Sequence, residues 1–134
     1  MKWVVDCSFV AALFLPDEAS DSVDQFFSKL SAEDELIVPT LWQYELANVL
    51  ILAEKKKRLD ANQVKKIFDL IEELNFQVDH NEVDSHKLYE LGRQFNLTTY
   101  DAVYLEAAMR YNAGLATLDK PLAHAAQKCN LIVV

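Results

Sequence analysis

Five short β-rich runs in this chain, period-2 or continuous, alternate with segments of helical period, and most of them lack polar alternation, which narrows the fold more than any other property. They are WVVD (Trp3 to Asp6), LIVP (Leu36 to Pro39), FQV (Phe76 to Val78), LAT (Leu115 to Thr117) and LIVV (Leu131 to Val134). A strand with one wet face alternates, whereas a strand apolar throughout is covered on both faces. The segments between the runs have helical period. Val23, Phe26, Phe27 and Leu30 share one face, and Val64, Ile67, Phe68, Ile71 and Leu74 another. Leu88, Leu91 and Phe95 form a third stripe, and Leu122, Ala125 and Ala126 a fourth. Asp60 with Gln63 three residues on has capping-box spacing, and Asn81 is placed to start a further helix. The expectation is an α/β fold in three layers, α/β/α, around a central, mostly parallel five-stranded sheet.

The first twenty residues, MKWVVDCSFVAALFLPDEAS, superficially read as an export signal. Asp6 argues against it, because a charge at the centre of a membrane-inserted helix costs about 2.5–3.5 kcal/mol. No apolar run approaches a membrane span. The 134 residues suit one domain over 1–134, and two glycines and three prolines leave little room for linkers. Cys7 and Cys129 lie far apart without CxxC spacing and read as reduced thiols of a cytoplasmic protein. His80, His86 and His124 lack zinc-ligand spacing. The net charge of −8 excludes a generic basic nucleic-acid binder. It leaves open an enzyme that meets phosphates through metal ions.

Four carboxylates stand in unusual company. In a parallel sheet, ligands sit beyond the carboxyl ends of the strands, and Asp6 ends the first one. In PTLWQYELANVLILAEKKKR, Thr40 can cap a helix whose inner face is Leu41, Trp42, Glu45, Asn48, Val49 and Leu52, which places Glu45 among apolar residues. A core glutamate tied to a basic residue would look the same. In NLTTYDAVYLEAAMRY, Asp101 shares a face with Tyr104, Leu105, Ala108 and Met109, although Thr98 and Asp101 also have capping-box spacing. In GLATLDKPLAHAA, Asp119 follows the fourth strand and precedes a proline-initiated helix, which equally suits an N-cap. A parallel sheet can bring all four to one edge. Crowded carboxylates repel, and such a cluster persists when it holds hard cations such as Mg²⁺ or Mn²⁺. Phosphodiester hydrolysis by activated water is the chemistry that most often uses this arrangement.

These segments together resemble the PIN-domain family, most closely its VapC-like toxin ribonucleases of toxin–antitoxin pairs. VVDCSFVAALFLPDE resembles the family's opening strand with its D-x-S, and VPTLWQYELANVL its P-x-L-W-x-x-E-x-x-N-x-L helix. TTYDAVYLEAA is similar to its Y-D-A-x-Y-L-x-x-A segment, and LATLDKPLAHAA to its T-x-D-x-x-L element. The resemblance runs over essentially the whole length. It implies an acidic, metal-holding catalytic site of Asp6, Glu45, Asp101 and Asp119, with Ser8 and Thr117 as supporting polar residues. Asp6 and Asp101 would be the principal ligands. It further implies a Mg²⁺- or Mn²⁺-dependent endoribonuclease toxin with an RNA substrate, a cognate antitoxin partner and a homodimeric state. A catalytically idle PIN module that only binds partners or RNA is the alternative.

Two other classes fit less well. A phosphoaspartyl phosphatase needs D-x-D-x-T after the first strand, where this chain has DCSFV; a receiver domain needs an aspartate ending a middle strand, which LIVPT lacks. Lys55 to Arg58 (KKKR) read as a solvated helix end that complements the macrodipole. Phe9, Leu13, Phe14, Trp42 and Tyr44 read mainly as core, and Cys7 as a packing residue.

Overall fold

Val4, Val5, Ile37 and Val38 are β-branched and almost fully buried, as strands sandwiched between helices require. The computed structural model describes all 134 residues. Along the chain run β1 (Lys2–Val5), α1 (Cys7–Phe14), a single 3-10 turn (Pro16–Glu18), α2 (Asp21–Ser28), β2 (Glu35–Pro39) and α3 (Thr40–Lys55). There follow α4 (Ala61–Leu74), β3 (Gln77–Asp79), α5 (Ser85–Phe95), α6 (Thr99–Tyr111), β4 (Gly114–Ala116) and α7 (Lys120–Lys128). The sheet order is β3-β2-β1-β4, and every pairing is parallel. Helix α1 packs on α2 and α3, and α3 on α4; α6 lies against β1 and β2 and packs on α5 and α7. No helix is long and apolar enough to cross a membrane.

The sheet has four strands, not the five expected. Residues 131–134 add only an isolated parallel bridge, Leu115 to Val133. The turn before them explains why. Asn130 is left-handed (φ 60°) and the Leu131 amide is committed to the Ala126 carbonyl, so the chain first bonds β4 at Ile132. Further in, a Cβ on Gly114 would stand 2.4 Å from the Trp3 ring, so glycine is what lets β4 close on β1 at this point.

Several helix starts also differ from expectation. The capping box at Asp60 and Gln63 forms in full. Asn81 does not start a helix; Asp84 caps α5 by accepting from the Lys87 amide at 2.9 Å. Asn81 instead donates its side-chain amide to Asp79 Oδ1 at 2.6 Å. Thr40 is the first residue of α3 rather than its cap, and Pro39 stands at the cap without a side-chain bond. Arg58 is paired with Asp17 at 2.6 Å, which draws the end of KKKR onto the 3-10 turn.

Candidate active site

The chain adds β2 and then β3 on one side of β1 before placing β4 on the other. This reversal makes the carboxyl ends of β1 and β4 a switch point, where parallel sheets open a crevice. Asp6 leaves β1 there as the N-cap of α1, and its amide donates to the Ala116 carbonyl at 3.1 Å. Asp6 Oδ1 accepts from the Phe9 amide at 3.0 Å and from the Ser8 hydroxyl at 2.7 Å. Oδ2 accepts from the Thr117 hydroxyl, and Thr117 Oγ1 in turn accepts from the Asp119 amide at 3.0 Å. Ser8 and Thr117 therefore both donate to Asp6, and Thr117 bridges it to Asp119. Burial pushes the Asp6 carboxyl above the ordinary carboxylate range despite these donors, and the Asp119 charge adds to the shift.

Asp119 caps α7 by accepting from the Leu122 amide at 2.9 Å, so its cap role is real and coexists with its place at the switch point. Asp101 lies in the first turn of α6. Thr98 caps that helix by accepting from the Asp101 amide at 3.2 Å, but the Asp101 carboxylate does not return a bond to the Thr98 amide. Half-buried, that carboxyl is pushed up by desolvation and then by the Asp119 charge. Of its expected companions, Tyr104, Leu105 and Ala108 are buried, whereas Met109 is 41% exposed.

Glu45 is half-buried on α3 and accepts from the Tyr104 hydroxyl at 2.5 Å, which ties α3 to α6. Its helix is turned from the expected face: Trp42, Leu46, Leu50 and Ala53 point into the core, while Asn48 and Leu52 are exposed and Tyr44 is 72% exposed. Glu45 lines a cavity of about 410 Å³ with Cys7, Ser8, Ala12, Glu18 and Leu118. Burial, with the charges of Glu45, Asp6 and Glu18, pushes the Cys7 thiol up to about 12. A thiol so placed is a packing group, not a nucleophile. Glu18 was not anticipated, because it sits in a stretch of turn residues with no apolar periodicity.

The Asp119 charge thus acts on both Asp6 and Asp101, and Glu45 flanks them on the cavity of Cys7 and Ser8. None of the four is within salt-bridge distance of a lysine or arginine. The donors are all hard carboxylate oxygens, the set that Mg²⁺ or Mn²⁺ takes. In the positions shown, no three acids converge as a ready-made ligand shell.

A second polar cluster escaped the sequence reading. At the end of β3, Asp79 accepts from Arg110 Nη2 at 2.6 Å, from Asn81, and from the Tyr111 hydroxyl at 3.1 Å. Arg110 also donates to Glu106 at 2.5 Å, one turn earlier on α6. Burial pushes Asp79 up, but the bonds from Arg110, Asn81 and Tyr111 outweigh it and hold the carboxyl at about 2. The only sequence signal was the four-residue spacing of Glu106 and Arg110, which any surface helix can show.

Comparison with known proteins follows the same lines. The PIN domain family model matches residues 3–128. Ribonuclease VapC3 of Pyrobaculum aerophilum is 30% identical over 128 residues, which cover 92% of this chain and 93% of the relative. The crystal structure of PAE2754 from Pyrobaculum aerophilum superposes with a TM-score of 0.72 at 22% identity, over 100% of this chain and 84% of the other. VapBC2 from Rickettsia felis, bound to a DNA fragment from its promoter, gives 0.68 at 16% identity, over 100% and 98%. With a parallel sheet of this order and a family match over nearly its whole length, the chain belongs to the PIN domain family.

Proposed function

We propose that this protein is a VapC-type endoribonuclease that hydrolyses RNA phosphodiesters with Mg²⁺ or Mn²⁺ and is neutralised by a cognate antitoxin. The observation that carries this reading is that Thr117 links Asp6 to Asp119 at the switch point, with the Asp119 charge acting on Asp101 and no lysine or arginine within salt-bridge distance of the three. Charges held together against burial and mutual repulsion are placed for a ligand, not for stability. In this reading Asp6 and Asp101 are the principal holders of the cation, Asp119 completes the donor set, and Glu45 serves as the base. A bound divalent cation would supply the Lewis acidity that activates water and neutralises charge on the phosphate. Glu45 Oε1 is occupied by Tyr104, so Oε2, which accepts no protein hydrogen bond, takes the proton of the attacking water. The water oxygen bonds to phosphorus, the bond to the leaving ribose oxygen breaks, and that oxygen is protonated from solvent.

The VapC-type relative, and the same fold in VapBC2 from Rickettsia felis, support the antitoxin part of this reading. Exposed Ile51, Leu52, Phe68 and Leu70 on α3 and α4, with Tyr44, are the apolar surface available to it and to a second copy in a homodimer. Cleavage of a generic single-stranded RNA tests the catalytic reading. Wild type with Mn²⁺ is expected to cut it, and both EDTA and Asp101→Asn to abolish cutting. Undiminished cutting in either condition would contradict the mechanism; a wild type that binds a partner yet never cuts RNA would favour the idle module.

A further inference from the structure

The basic residues of this chain are unevenly committed. Arg110 is held by Asp79 and Glu106, and Arg58 by Asp17. Helix α7 differs: KPLAHAAQK contains no acid, and Lys120, His124 and Lys128 recur every four residues. That spacing sets them on one face, about 6 Å apart along the axis. All three are exposed, and none is within salt-bridge distance of a carboxylate. With Phe95, Asn96 and Pro121 they line an open groove of about 400 Å³ between the end of α5 and α7.

Two observations separate this stripe from an ordinary solvated face. Lys120 stands in the first turn of α7, where the positive end of the helix dipole disfavours a cation, so helix stability does not explain it. The stripe also begins at the residue after Asp119, which Thr117 bridges to Asp6. On a chain of net charge −8, an incoming polyanion meets repulsion over most of the surface. The α7 groove gives it a local track of two lysines and a histidine whose first residue follows Asp119. A positive groove with an aromatic ring in its wall is how single strands are held without sequence reading, and the half-buried Phe95 supplies the ring.

We propose that the α7 groove binds the phosphate backbone of single-stranded RNA through Lys120, His124 and Lys128 and leads it to the acidic end of the sheet. The proposal rests on the ribonuclease reading above. Its test is the salt dependence of binding of a short labelled oligouridine to the full-length chain, with Asp101→Asn as the non-cleaving background. Adding Lys120→Gln and Lys128→Gln together is expected to weaken binding about tenfold at low salt. It is also expected to shrink the slope of log K against log[salt] by about 1.4, roughly 0.7 for each phosphate that a lysine no longer neutralises. Lys65→Gln with Lys66→Gln on α4, an equal change in net charge at exposed positions, is expected to leave the slope unchanged. An unchanged slope in the α7 variant, or equal loss in both pairs, would overturn the groove while leaving the ribonuclease reading standing. Failure of wild type to cut RNA with Mn²⁺ would overturn the ribonuclease reading and with it the groove, whereas an Asp101→Asn background that does not bind the oligouridine would overturn the groove alone.

Discussion

Tyr104 decides how Glu45 is presented. Its hydroxyl is pushed far above the ordinary phenol range by burial and by Glu45, so it remains a donor at every working pH. Tyr104→Phe keeps the ring and frees the carboxylate. It is expected to cost about 1 kcal/mol of stability and about tenfold in cleavage rate, checked by melting and single-turnover kinetics. The opposite balance holds at Asp79, where Arg110→Met would leave two carboxylates buried without their cation, with side-chain exposures of 2% and 8%. The expected loss is about 3–5 kcal/mol at neutral pH by urea unfolding. Asp79 titrates at about 2, below the 3.8 of a free aspartate, so its pairing stabilises fully above pH about 4 and is lost as pH falls through about 2. The gap between wild type and Arg110→Met should therefore narrow in acid; a gap that stays constant would show that the charge of Asp79 is not what Arg110 serves. Asp6 was legible because a charge in an apolar run has few explanations. Asp79 was not, because its partner lies 31 residues away and nothing local announces it.

The helices close in a way that two glycines would not suggest. Asn75, Asn96 and Asn112 end α4, α5 and α6 with φ of 54°, 54° and 49°, the left-handed conformation that glycine usually supplies. Asn112→Ala is expected to lose about 1 kcal/mol and Asn112→Gly to be neutral or slightly stabilising, read as melting temperatures. Equal loss in both variants would point to a side-chain contact instead of backbone strain. The periodicity of α7 was readable because its polar face fixes which side is inward; α4 followed it in part, with Ile67 buried but Phe68, read on the same stripe, 44% exposed. In α3, LWQYELANVLILA is apolar on several sides, so the period alone could not choose between Leu52 and Leu50 as the buried residue, and the sheet decided for Leu50. Glu45, expected on the inner face, is instead half-buried.

As a whole, the molecule is a parallel sheet whose order, not whose length, sets the proposed site at one edge. Uniformly apolar runs made the parallel sheet legible, and the acids at strand ends pointed to one edge. The strand order and the four-strand count were not legible, because LIVV has the composition of a strand and only the preceding turn keeps it from pairing fully. Collecting Asp6, Asp101 and Asp119 at one edge has a thermodynamic consequence. Asp6 and Asp101 have raised pKa values, so they destabilise the fold increasingly as pH rises from the ordinary carboxylate value through the raised one, and fully above it. A cation that binds only the folded state offsets this by about 2.7 kcal/mol at 100 times Kd, or roughly 10 °C in melting temperature. The most direct measurement is the melting of wild type and Asp6→Asn at neutral pH, each in EDTA and in millimolar Mn²⁺. Asparagine can still accept from Phe9 and Ser8 while shedding the charge, so Asp6→Asn should melt above wild type in EDTA and gain less from Mn²⁺. If it melts below wild type in EDTA and gains as much from Mn²⁺, Asp6 is a helix cap and not part of a metal-holding site.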